Sequence, residues 1–138
     1  MKTFIVTIAA VILLMVFPMQ NVQDIVNSHK IERFDEIVYV ACQRARTDGR
    51  FTDSNISQLK SDILSEFPDV SEDEIIIDVT TSMKYKRFEF DSREAINYRI
   101  GVPIKTIVNL GRFLGINDED NRFITYIMEG YVLSEALE

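Results

Sequence analysis

IERFDEIVYVACQRA, residues 31–45, decides the fold. Ile31, Phe34, Val38, Ala41 and Ala45 recur at spacings of three and four, which places them on one face of an α-helix, with Ile37 beside the stripe. Glu32, Arg33, Asp35, Glu36 and Arg44 fall between them. Upstream, Val22, Ile25 and Val26 form a slightly offset stripe, and before that comes FIVTIAAVILLMVFPM, residues 4–19, with one hydroxyl and no charge. Asp48-Gly49 is a helix stop. Phe4 to Thr47 therefore reads as one nearly continuous helix, about 66 Å long if unbroken. Its first half is apolar all round and its second half is amphipathic.

Pro18 interrupts this pattern. It removes a backbone donor, leaves the carbonyl of Leu14 without its partner and predicts a helix kink. At a lipid–water boundary, water satisfies that carbonyl. A simpler reading has Pro18 end the apolar segment, but the amphipathic continuation argues against it.

Three readings of the head compete: a cleaved export signal, a retained anchor and a buried soluble helix. Lys2 and the run Phe4–Phe17 supply the basic start and apolar core of a signal. Pro18, Met19, Gln20, Asn21, Val22 and Gln23 offer no pair of small residues for cleavage. Sixteen residues span roughly 24 Å, short of a hydrocarbon core of about 30 Å. Extension through Thr3 and Val22, with Lys2 snorkelling, closes that gap. The Phe, Ile, Leu and Val side chains favour insertion by roughly 3–6 kcal/mol before corrections for depth. The balance favours an uncleaved single-pass anchor over residues 1–22 and an extracytoplasmic domain over residues 23–138. Lys2 and the amino terminus set the orientation through a slight positive-inside bias.

Downstream, Thr52-Asp53-Ser54 supplies N-cap residues, and Ile56, Leu59, Ile63, Leu64 and Phe67 follow at helical spacing. This predicts a helix over 54–67, closed by Pro68. Ile75, Ile77 and Val79 alternate with Ile76, Asp78 and Thr80, as in a strand with one buried face. AINYRIGVPI, residues 95–104, is the clearest strand: Ile96, Tyr98, Ile100, Val102 and Ile104 share a face, and Pro103 confines it to a strand end or a sheet edge. Tyr85 to Phe90 reads as a short strand or an extended arm. Ile107, Leu110 and Leu114 suggest a short helix or ordered loop ending near Gly115, and residues 116–121 a turn. A last strand places Ile124, Tyr126, Met128 and Val132 on one side. The expected fold is α+β: the long helix packs its stripe on a small, mostly antiparallel sheet of three or four strands.

The chemistry of the chain is sparse. Acidic residues outnumber basic ones 22 to 15, a formal charge of −7, and no basic patch interleaves with aromatics, which argues against nucleic-acid binding. Cys42 is the only cysteine, so no internal disulfide forms, and it reads as a small buried side chain. His29 is the only histidine and reads as a polar-face residue near the membrane. No nucleophile–base set, phosphate-binding loop or zinc motif is present. The oxygens of Asn117, Asp118, Glu119, Asp120 and Asn121 crowd one turn without the spacing of a calcium loop, and Thr47 to Asp53 is explained by a helix stop and a helix start. Glu72, Asp73 and Glu74 sit in a turn with no apolar pocket implied. We expect no catalytic residue, cofactor or metal.

An apolar helix with a short basic start, a proline kink, an amphipathic continuation and a small sheet together resemble a type IV pilin. ACQRARTDGRFT at 41–52, VPIK at 102–105, FLGINDED at 113–120 and EGYVLSE at 129–135 are similar, in that order, to small pilin-like (TadE-like) proteins of Gram-positive tight-adherence (Tad) pilus systems. The resemblance spans most of the chain. It implies a cell-surface structural protein in the membrane or a surface filament, with membrane lipid and other pilin-like subunits or assembly proteins as partners. The chain departs from the family where processing occurs: the family has a glycine or alanine cleavage site with a glutamate five residues beyond it, and residues 4–19 hold no glutamate and no glycine. That departure implies an accessory or minor component. A membrane-tethered binding module, with an apolar or acidic groove on its sheet and a monomeric anchor, is the competing reading. Thr7, Ala9 and Ala10 are the small residues of the apolar run and mark its expected helix–helix contact.

Overall fold

The computed structural model describes residues 1–86, 94–104, 115–117 and 124–137. Helix α1 runs Lys2–Asp48 and α2 Asp53–Glu66; a 3-10 turn at Glu72–Glu74 leads to strands β1 (Ile76–Val79), β2 (Ala95–Ile104) and β3 (Ile124–Leu133). The chain forms an α+β arrangement, with the long helix packed on a three-stranded antiparallel sheet of order β1-β2-β3. Two compact units divide it. One holds Met1–His29; the other comprises Lys30–Pro103 and Thr125–Glu138.

No glycine precedes Gly49, and Pro18 lies inside α1, helical on both sides. At Gly49 φ is +74°, a left-handed conformation that stops the helix without a Cβ penalty. Lys84 N–H donates to the Gly49 carbonyl at 2.9 Å. Thr52 then caps α2, its hydroxyl accepting from Asn55 N–H at 3.2 Å. The predicted stop and restart are both in place, and α2 begins and ends one residue before the range read from the sequence.

The core of the second unit is built on α1. Phe34, Val38, Ala41, Cys42 and Ala45 are buried and pack with Phe51, Leu59, Ile63, Phe67 and Val70, and with Ile96, Ile100 and Val102 of β2. Ile77, Val79, Tyr98, Tyr126, Met128 and Val132 flank this cluster. Phe34 sits edge-to-face with Phe67 at 6.2 Å and with Tyr126 at 5.8 Å between ring centroids, tying α1 to both the α2 end and β3. The stripe is shorter than its spacing implies. Ile31 is only half-buried and lies outside the cluster, because the apolar neighbours start at Phe34. Ile124 shares the parity of Tyr126 yet is exposed, being the first residue of β3 and outside the second unit. Leu64 is likewise only half-buried.

Ile76 faces Gly101 and Val79 faces Tyr98, so β1 pairs with β2 no further than Gly101. Pro103, with no N–H to donate, lies beyond that pairing near the end of β2 although β2 is the central strand. Gly130 on β3 lies against the Tyr98 ring: a Cβ there would come within 2.9 Å of the Tyr98 hydroxyl. Residues 134–136 close the unit. Ser134 N–H donates to Glu94 O, Glu135 N–H to Arg46 O and Lys86 N–H to Ala136 O. Most of the predicted 85–90 segment, all of the 105–114 segment and residues 118–121 of the acidic turn lie outside the described residues.

Candidate functional site

Among the described residues two surfaces qualify, one in each unit. The first is the apolar half of α1. Its best 18-residue window has a mean hydropathy of 2.2, and none of that window is buried. Phe4, Ile5, Val6, Leu13, Leu14, Met15 and Phe17 are all more than 60% exposed. This helix is long and apolar enough to span a membrane, a property that export signals share. Thr7, Ala9 and Ala10 are exposed on it. The Thr7 hydroxyl donates to the Thr3 carbonyl at 2.8 Å, so that hydroxyl is satisfied if the segment lies in hydrocarbon. Asn21 Nδ2 donates to the Phe17 carbonyl at 2.9 Å, next to Pro18.

The second surface is the face of the sheet turned away from the core. Ile77, Val79, Tyr98, Met128 and Val132 point toward the helices, so strand alternation turns Asp78, Thr80, Asn97, Arg99, Glu129 and Tyr131 outward. These six line a groove of about 620 Å³. The alternation in the sequence placed Asp78 and Thr80 on this face without marking it as a site. What was missing was the cross-strand register, which brings residues from three distant segments together.

Several polar groups lie in the interior among the described residues. Asn55 is buried and donates from Nδ2 to the Ala41 carbonyl at 2.8 Å, joining α2 to α1. Tyr126 O–H donates weakly to Asp35 Oδ2 at 3.4 Å, and Asp35 Oδ1 has no partner. Burial, then the neighbouring Asp35 carboxylate, holds the Tyr126 phenol above its ordinary pKa. Burial pushes the Cys42 thiol up to about 12, so it stays protonated and unreactive near neutral pH. Burial and then Cys42 raise Tyr98. His29 is exposed on α1. Among the described residues no group of three or more His, Cys, Asp or Glu is placed to hold a metal ion. Glu72 pairs with Lys60 at 3.0 Å, and Glu74 Oε2 accepts from Ser71 N–H at 2.8 Å, so that acidic turn is engaged in local structure.

Comparison with known protein families, curated proteins and solved structures gives no match.

Proposed function

We propose that this chain is a membrane-anchored, pilin-like subunit, structural or accessory, of a Tad or type IV-like pilus or a related secretion machine, and that it has no catalytic activity. One observation carries the reading. A single helix holds an apolar half with no buried residue and a second half that supplies five residues to a folded core. The apolar half suits lipid and neighbouring helices; the folded half suits a domain held outside the cytoplasm. The resemblance of 41–52, 102–105, 113–120 and 129–135 to Tad-type proteins supplies the kind of assembly. Intact mass of the native protein, with protease accessibility in whole cells, tests the anchor: residues 1–20 are retained and the domain is cleavable from outside. Replacing Thr7, Ala9 and Ala10 together with leucine keeps insertion but fills the helix contact. In-cell crosslinks to partner subunits and surface assembly are then lost.

The outward groove on the sheet favours a second reading, a membrane-tethered binding module. Unchanged crosslinking and assembly in the triple-leucine variant would select it.

A further inference from the structure

The outer face of the sheet is laid out in two rows. In the first, Asp78 of β1 stands directly opposite Arg99 of β2, and Arg99 Nε lies 3.6 Å from Glu129 Oε2 of β3. In the second, Thr80 and Asn97 exchange backbone-anchored hydrogen bonds of 3.0 Å, and Tyr131 on β3 is 65% exposed. Rows two residues apart on a strand lie about 7 Å from each other. All six side chains line the one groove of about 620 Å³, within the usual range of about 300–1,000 Å³ for small-ligand sites.

The chemistry narrows the occupant. Two carboxylates face one guanidinium here, and the whole chain carries −7, so phosphate- or carboxylate-bearing ligands are repelled. Arg99 is partly neutralised by Glu129. No hydrogen bond or ion pair among the described residues engages the side chains of Asp78, Asn97 or Tyr131. A carboxylate accepts from hydroxyls, and an amide both donates and accepts. A tyrosine ring offers a flat, amphipathic surface. A sugar has the matching pattern: hydroxyls at its rim that donate and accept, and a C–H face that lies flat on an aromatic ring. We infer that this groove binds a carbohydrate chain of neutral sugars, with Tyr131 as the stacking platform and Asp78, Asn97 and Arg99 as hydroxyl partners. The site rests on the sheet alone and not on the anchor reading, which mass and protease accessibility test separately.

The test uses the full chain in lipid nanodiscs, titrated calorimetrically with neutral tetrasaccharides of N-acetylglucosamine, glucose and mannose, and with a lysine tetrapeptide. At least one sugar saturates below about 10 mM. Tyr131→Ala weakens it by at least about tenfold, Tyr131→Phe retains it, and Asp78→Asn weakens it by a few-fold, about 3-fold or more. Both positions are exposed, and an unchanged melting temperature confirms that each variant folds. No saturable sugar binding, equal binding by Tyr131→Ala, or binding of the lysine peptide in place of every sugar overturns the inference.

Discussion

The two halves of α1 have the same backbone and opposite surroundings. Residues 2–29 include Phe4, Leu14 and Phe17, each at least 70% exposed, whereas residues 30–48 include Phe34, Val38 and Ala45, each fully buried. The first half is the more apolar by sequence, yet none of its residues is buried. Apolarity alone therefore does not make a core. The second half is buried because its apolar positions are confined to one stripe and other segments of the chain are shaped to cover that stripe. An all-round apolar helix needs an apolar environment on every side, such as lipid provides.

One residue type tests that contrast most sharply. Phe34→Ala removes a fully buried ring held between Phe67 and Tyr126, and the domain loses about 3–5 kcal/mol in chemical denaturation of the full chain in detergent. Phe17→Ala, the same chemical change in the same helix, leaves that unfolding transition unchanged. Equal losses would break the comparison. Gly49→Ala comes next. Its φ of +74° costs a side-chain residue about 1–3 kcal/mol, and the new Cβ meets Lys84 O at 2.5 Å, so the loss lies at or above the top of that range. Hydrogen exchange would show the C-terminal turn of α1 opening first in this variant.

The fold was largely legible because its signals are periodic. The stripe through Phe34, Val38, Ala41 and Ala45, the Thr52 cap and the alternation in residues 95–104 each depend on neighbours close in sequence. Ile31 and Ile124 were misplaced because periodicity reports a face but not where its partners end. Phe51 and Val70, both in the core, lie in connections with no period to reveal them. Asn55 lies in the first turn of α2, and only the approach of α1 gives it the Ala41 carbonyl. The groove was illegible for a further reason: Asp78, Arg99 and Glu129 become neighbours through strand pairing, which no local pattern encodes.

Cys42 provides a pH-dependent probe of the buried half. The folded state raises its pKa from 9.0 to about 12, so it binds its proton more tightly than the unfolded chain does. Stability is unaffected by this thiol below pH 9.0 and falls as pH rises from there towards about 12. Tyr98 and Tyr126, raised by burial, add to the fall in the same direction. The contribution of Cys42 is isolated by comparison with Cys42→Ala, which should show a shallower alkaline decline in denaturation midpoints. At neutral pH the thiol should resist labelling until the domain unfolds. Rapid labelling of native protein would mean that this part of α1 opens without the rest.

The smallest effect concerns charge. Lys60 pairs with Glu72 at 3.0 Å and Arg33 with Glu66 at 3.9 Å, the latter joining α1 to α2. All four side chains are at least 35% exposed, so water and salt screen them, and each pair is worth about 0.2–1 kcal/mol. Lys60→Met keeps the aliphatic stem and removes only the charge. Its destabilisation should stay under about 1 kcal/mol and shrink further at high salt. A loss of several kcal/mol from Lys60→Met would mean that exposed ion pairs rival burial as the source of the domain's stability. Burial would then no longer explain why the two halves of one helix behave differently.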